Sequence, residues 1–189
     1  MLSVNKSLNR ELHFCGSLYF YVGGIYFMNL YDGMINNSIT NGKIIFWDID
    51  GVLAPYRFNN HVGVNDGTHN GMSKEEVYNG CFLYRKPSKH MQRVLNTSGA
   101  KKNIIMGHSA YYQEILDKKK WLKEYYPMID DIILTYQDIP KYKSIIDYCS
   151  ENNILLKDIL FVDDVVPYLQ MAERQGISSW HISSFLDWE

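Results

Sequence analysis

Lys43-Ile44-Ile45-Phe46-Trp47-Asp48-Ile49-Asp50-Gly51-Val52-Leu53 is the stretch on which the reading of this chain turns. Four apolar residues run into a carboxylate, a second carboxylate follows two places on, and a glycine releases the chain. A continuous apolar run of this length suits a strand buried on both faces, as in a parallel α/β sheet. Residues two apart on an extended chain project to one side, which predicts that Asp48 and Asp50 meet at the strand's carboxyl end. Open α/β sheets bind their ligands at that edge. Two acids beside a hydrophobic core are costly without a cation or another partner.

Working outward, the C-terminal side alternates short apolar runs with helical patterns. Pro87 opens a predicted helix to about Thr97, with Met91, Val94 and Leu95 on one face. Lys102–Met106 is a second strand, ended by Gly107-His108-Ser109, and a helix follows through Ile115, Leu116 and Leu122. Asp131–Leu134 is a third strand and Lys141–Asn152 a helix with Ile145, Ile146 and Tyr148 inward. Ile159–Val162 is a fourth strand running into Asp163-Asp164, followed by a helix from Pro167 to Gln175 that closes at Gly176. Ile177–Ile182 is a fifth strand. The alternation predicts an α/β fold with a doubly wound parallel sheet over residues 43–189. The stretch from about 54 to 86 is polar and turn-rich, a short loop or cap insertion with a possible capping box beginning at Ser73.

The first 42 residues read differently, as an N-terminal extension. Phe14–Tyr31 carries no charge, which raises a signal peptide or membrane anchor. Gly16, Ser17, Gly23, Gly24 and Asn29 interrupt it, however, and Leu18–Val22, Gly23-Gly24 and Ile25–Met28 match a β-hairpin. The hairpin is the preferred reading, with membrane contact and a disordered leader as alternatives; 32–42 reads as a linker. A net charge of -2 over 189 residues gives no nucleic-acid footprint. Cys15, Cys81 and Cys149 are scattered and odd in number, so neither a disulfide framework nor a zinc knuckle is implied, and a reducing, cytoplasmic setting is expected.

Three strand ends deliver polar residues to one sheet edge: Asp48 with Asp50, Gly107-His108-Ser109, and Asp163-Asp164. A lysine, Lys141 or Lys143, precedes the third helix. Clustered carboxylates suit a hard cation, and Mg2+ takes a few carboxylates with water and phosphate oxygens. A lysine beside them suits a phosphate oxygen. These residues point to metal-assisted phosphoryl transfer on a phosphorylated substrate.

The same residues resemble the haloacid dehalogenase superfamily of phosphohydrolases. Phe46–Leu53 is similar to its first motif, Lys141 to the lysine of its third, and Phe161-Val162-Asp163-Asp164 to its acidic fourth. The resemblance runs from about Lys43 to the C-terminus and implies a Mg2+-dependent phosphatase with a Rossmann-like fold. It implies that Asp48 is the nucleophile and that Asp50 protonates the leaving group and then activates water. The implied metal set is Asp48, Asp164 and the Asp50 carbonyl, with Asp163 one step further out. Lys141 is preferred over Lys143 as the active-site lysine. The second motif departs from the pattern. Met106 stands where a Ser or Thr is usual, and Ser109 is the substitute hydroxyl, with Gly107 and His108 as further phosphate or substrate contacts. Ser109 as a plain helix cap is an equal alternative. The short insertions leave no room for a full cap domain, which in such families accompanies large substrates or a site completed by a homo-oligomer. A catalytically weak binding module, using residues 1–42 for partner contact, is the competing function. Lys118-Lys119-Lys120 reads as a solvated helix face, and His61, His69, His90 and His181 as surface or packing residues.

Overall fold

Strand β1, Ile44–Trp47, is buried along its whole length, and the rest of the fold is built around it. The structure, a computed structural model, describes residues 39–55, 75 and 78–186. The Leu18–Met28 hairpin, the charge-free run 14–31, the capping box beginning at Ser73 and most of the 54–86 insertion lie outside the described residues. No helix among the described residues is long and apolar enough to cross a membrane.

After β1 come α1 (Lys89–Thr97), β2 (Lys102–Ser109), α2 (Tyr112–Tyr125), β3 (Asp131–Tyr136) and α3 (Lys141–Glu151). β4 (Ile159–Asp163), α4 (Val166–Glu173) and β5 (Ser179–His181) complete the alternation. The sheet order is β3-β2-β1-β4-β5 and every pairing is parallel. β1 is central, with β2 on one side and β4 on the other. Its carboxyl end is therefore the point where the chain order reverses, which opens a crevice.

The period-2 alternation of β1 divides the core into two layers. Ile45 and Trp47 pack with Val94, Leu95, Trp121 and Leu122 on the α1–α2 face. Ile44 and Phe46 pack with Ile145, Leu169 and Ala172 on the α3–α4 face. Buried indoles need a partner for N–H. Trp47 Nε1 donates to Asn103 Oδ1 at 3.0 Å, and Trp121 Nε1 to the Arg85 carbonyl at 2.8 Å.

Several boundaries move, the fifth strand shortening from Ile177–Ile182 to Ser179–His181, and two of the shifts have a clear physical reason. α1 starts at Lys89 rather than at Pro87, because Ser88 caps it by accepting from the Met91 N–H at 3.2 Å. β2 does not end at Met106. It continues through Ser109 because β3 also runs on, pairing His108 with Thr135 and Ser109 with Tyr136. Gly107 is thus a strand residue, not the start of a turn. A Cβ there would lie 2.9 Å from both Ile49 Cδ1 and Leu134 Cδ2, so glycine permits close packing of β1's turn on the sheet.

Candidate active site

β1 ends at Trp47, and the Asp48 N–H then donates to the Val162 carbonyl of β4 at 3.0 Å, which fixes Asp48 at the sheet edge. The chain turns immediately. Ala54 N–H returns to the Ile49 carbonyl at 2.8 Å, and Gly51 holds φ 80°, a conformation that favours glycine. Asp48 and Asp50 take their counter-charges from opposite faces of the sheet.

Asp48 accepts from Lys141 Nζ at 2.7 Å, and the same ammonium reaches Asp163 Oδ2 at 2.7 Å. Lys141 is the first residue of α3 and is buried, whereas Lys143 is exposed and outside the cluster. Asp163, the last residue of β4, has both oxygens engaged, since Oδ1 accepts from the Val165 N–H at 2.8 Å. Asp164 differs. Its Oδ1 is buried with no hydrogen-bond partner among the described residues, while its backbone carbonyl lies 3.1 Å from His181 Nε2.

One oxygen each from Asp48, Asp163 and Asp164 lie within 4.8 Å of one another. Burial pushes the Asp48 carboxyl from 3.8 up to about 7; Lys141 opposes the shift while Asp163 and Asp50 add to it. Burial, then the charge of Asp48, raises Asp164 to about 6. Asp163 is raised as well, again by burial first, against the pull of Lys141. Burial lowers the Lys141 ammonium pKa, but Asp48 and Asp163 outweigh it and the net shift is upward. Once ionised, the three carboxylates exceed the one ammonium by two negative charges, and a divalent cation would balance them in place of the protons that burial retains. The unpartnered Asp164 oxygen is a ligand atom in waiting. The donor set fits Mg2+, with Asp48 and Asp164 as the groups that would hold it.

Asp50 lies in a second network. Arg85 Nη1 and Lys118 Nζ each contact one of its oxygens, the lysine at 2.7 Å. Arg85 Nη2 also donates to the Ala54 carbonyl at 2.6 Å. Lys118 donates to the His108 carbonyl and pairs with Glu114 at 2.8 Å, and Glu114 in turn accepts from the Ala110 N–H at 2.7 Å. Both cations stand over the Phe82 ring, at 5.1 Å and 5.2 Å. Lys118 is therefore no solvated helix residue: it is fully buried, and that expectation is corrected. It lies on the same helix face as Glu114, Trp121 and Leu122, and the Glu114–Lys118 spacing of four is the signal that marks it. Arg85 meets Asp50 across 35 residues, and nothing in its local sequence announces the contact.

Ser109 is fully buried, and among the described residues its hydroxyl has no partner. It does not cap α2. The residue in the cap position is Tyr111, without a side-chain cap bond, and Glu114 serves the Ala110 N–H instead. His108 is held by its Nε2, 2.8 Å from the Ile139 carbonyl, with its ring edge-on to Tyr168.

Searches of sequence families and of curated proteins return no match. Solved structures do match. One is a haloacid dehalogenase family enzyme from Bacteroides thetaiotaomicron in complex with magnesium and inorganic phosphate. It is 13% identical, covers 79% of this chain and 98% of its own, and gives a TM-score of 0.52. This chain has the haloacid dehalogenase-like fold. A candidate phosphatase from Clostridium difficile is similar at 14% identity, covering 74% of this chain and 84% of its own, with a TM-score of 0.52. At these identities the likeness is one of fold. The haloacid dehalogenase-like arrangement brings Asp48, Asp163, Asp164 and Lys141 together and holds Asp50 beside them on its own counter-charges.

Proposed function

We propose that this protein is a Mg2+-dependent phosphomonoester hydrolase that works through a phosphoryl-aspartate at Asp48. The observation that supports the reading is the convergence of Asp48, Asp163 and Asp164, with one oxygen each within 4.8 Å of one another, and of Lys141, which bridges Asp48 and Asp163 at 2.7 Å. Asp48 and Asp164 would hold Mg2+, which would supply positive charge to offset that of the carboxylates and of the transferring phosphoryl group.

This chain's residues have distinct tasks. Asp48 attacks phosphorus in line, the bond to the leaving oxygen breaks, and phosphate is left on Asp48. Lys141 holds the attacking carboxylate at 2.7 Å and faces the charge that develops on the phosphoryl oxygens. Ser109 turns its free hydroxyl to a phosphate oxygen, and Asp163 keeps Lys141 in place. Asp50 delivers a proton to the leaving oxygen, then takes one from the water that cleaves the acyl phosphate.

The double ion pair on Asp50 favours one other reading. With Arg85 and Lys118 on its oxygens, Asp50 is hindered as a proton donor, and the chain would be a weakly catalytic phosphate-binding module. Steady-state release of phosphate from acetyl phosphate and from alkyl phosphates, with Mg2+ and with chelator, separates the two. Multiple turnovers that need Mg2+ support the hydrolase. Phosphate binding without turnover supports the module.

A further inference from the structure

A cleft of about 200 Å3 opens beside Lys141, between the β3–α3 connection and α4. His108, Tyr142 and Tyr168 give it aromatic walls, Pro140 and Met171 add apolar surface, and Gln137 and Asp138 place polar groups on the lining. Its position ties it to the chemistry. Lys141 lines the cleft and also sits 2.7 Å from Asp48, while its ammonium lies 5.0 Å from the Tyr168 ring centre. The His108 ring meets Tyr168 edge-on at 5.6 Å, and the Nε2 contact to the Ile139 carbonyl fixes that wall. A leaving group on a phosphate docked against Asp48, before transfer, therefore has an aromatic-lined space within reach of the same lysine.

The size limits the occupant. An apolar cavity of about 150 Å3 takes a benzene molecule, so this cleft has room for an inserted group of about one ring. Three aromatic side chains in the lining, His108, Tyr142 and Tyr168, favour a flat π-system over a saturated chain. Met171 is 44% exposed and marks the solvent side. We propose that the cleft binds the leaving group of the substrate and that this group carries a single aromatic or heteroaromatic ring. The proposal rests on the hydrolase reading above and names its substrate class: a ring-bearing phosphomonoester.

The test compares benzyl phosphate with ethyl phosphate, whose leaving alcohols are similar in acidity, so a difference reports binding of the ring and not leaving-group chemistry. In the wild type with Mg2+, kcat/KM for benzyl phosphate should exceed that for ethyl phosphate on the order of tenfold, the size of one well-placed aromatic contact. Met171→Trp, which fills the cleft from its exposed side, should abolish the preference by bringing kcat/KM for benzyl phosphate down to that for ethyl phosphate. Tyr142→Ala should reduce the preference in the same direction. Equal kcat/KM for the two esters in the wild type overturns the proposal, as does a preference that survives Met171→Trp in a protein with an unchanged circular dichroism spectrum. If neither ester is hydrolysed, the hydrolase reading fails, and calorimetry with benzylphosphonate and ethylphosphonate decides the cleft separately. Tighter binding of the benzyl compound, lost in Met171→Trp, upholds the ring pocket; equal binding removes it.

Discussion

Adding Mg2+ should stabilise this protein strongly at pH 7.5 and hardly at all at pH 5. In the folded chain Asp48 holds its proton up to about pH 7, whereas an ordinary aspartate loses it near 3.8. Below 3.8 both states are protonated there and the group contributes nothing to pH dependence. As pH rises from 3.8 to 7 the unfolded chain ionises first and the folded state binds more protons, so stability falls with pH. For Asp48 the shift of roughly three units corresponds to about 4 kcal/mol of that loss, and the raised Asp163 and Asp164 act in the same direction. A divalent cation reverses the sign, because it binds the ionised folded cluster. At pH 7.5 and about a hundredfold excess over its dissociation constant, Mg2+ should add about 2.7 kcal/mol. At pH 5 it must displace a proton held about two units more tightly, which weakens apparent affinity about a hundredfold and leaves well under 1 kcal/mol. Urea unfolding at both pH values, with EDTA and with Mg2+, reads all four states. In Asp164→Asn the Mg2+ increment should vanish at both pH values. An equal increment at pH 5 and pH 7.5, or one that survives in Asp164→Asn, would refute the metal assignment.

Removing Lys118 should be among the most damaging single changes to the fold. Lys118→Met leaves Asp50 and Glu114 each short of a buried cation, and urea unfolding should show a loss of about 3–5 kcal/mol. Ser109→Ala should separate function from stability. Its hydroxyl has no partner among the described residues, so stability should change by less than about 1 kcal/mol, while kcat/KM for small phosphomonoesters falls on the order of tenfold or more. Lys141→Met should abolish turnover and Lys143→Ala should leave it intact, because only Lys141 reaches Asp48.

The sheet and its order of elements were legible because β1 and β4 are uninterrupted apolar runs that end in acids, a pattern few other arrangements produce. Tertiary pairing set the remaining boundaries. β2 keeps going through Gly107-His108-Ser109 because Thr135 and Tyr136 run alongside, and no local rule signals that a neighbour is present. In the site, the acids and Lys141 stood out because they lie at strand ends and at a helix start. Arg85 was hidden by its 35-residue separation from Asp50. Lys118 was misread because three consecutive lysines suggest solvent, yet only the one in phase with Glu114 and Trp121 turns inward. Asp50 stays close enough to raise the Asp48 carboxyl, as the pairing of the two acids at the strand end implies, but its counter-charges, Arg85 and Lys118, were not legible.

The central claim is nucleophilic attack by Asp48, and its most direct measurement is phosphate release from acetyl phosphate by wild type and Asp48→Asn, each with Mg2+ and with EDTA. The account predicts repeated turnover in the wild type with Mg2+ and none in the other three conditions. Turnover that persists in Asp48→Asn, or that is indifferent to EDTA, would contradict it.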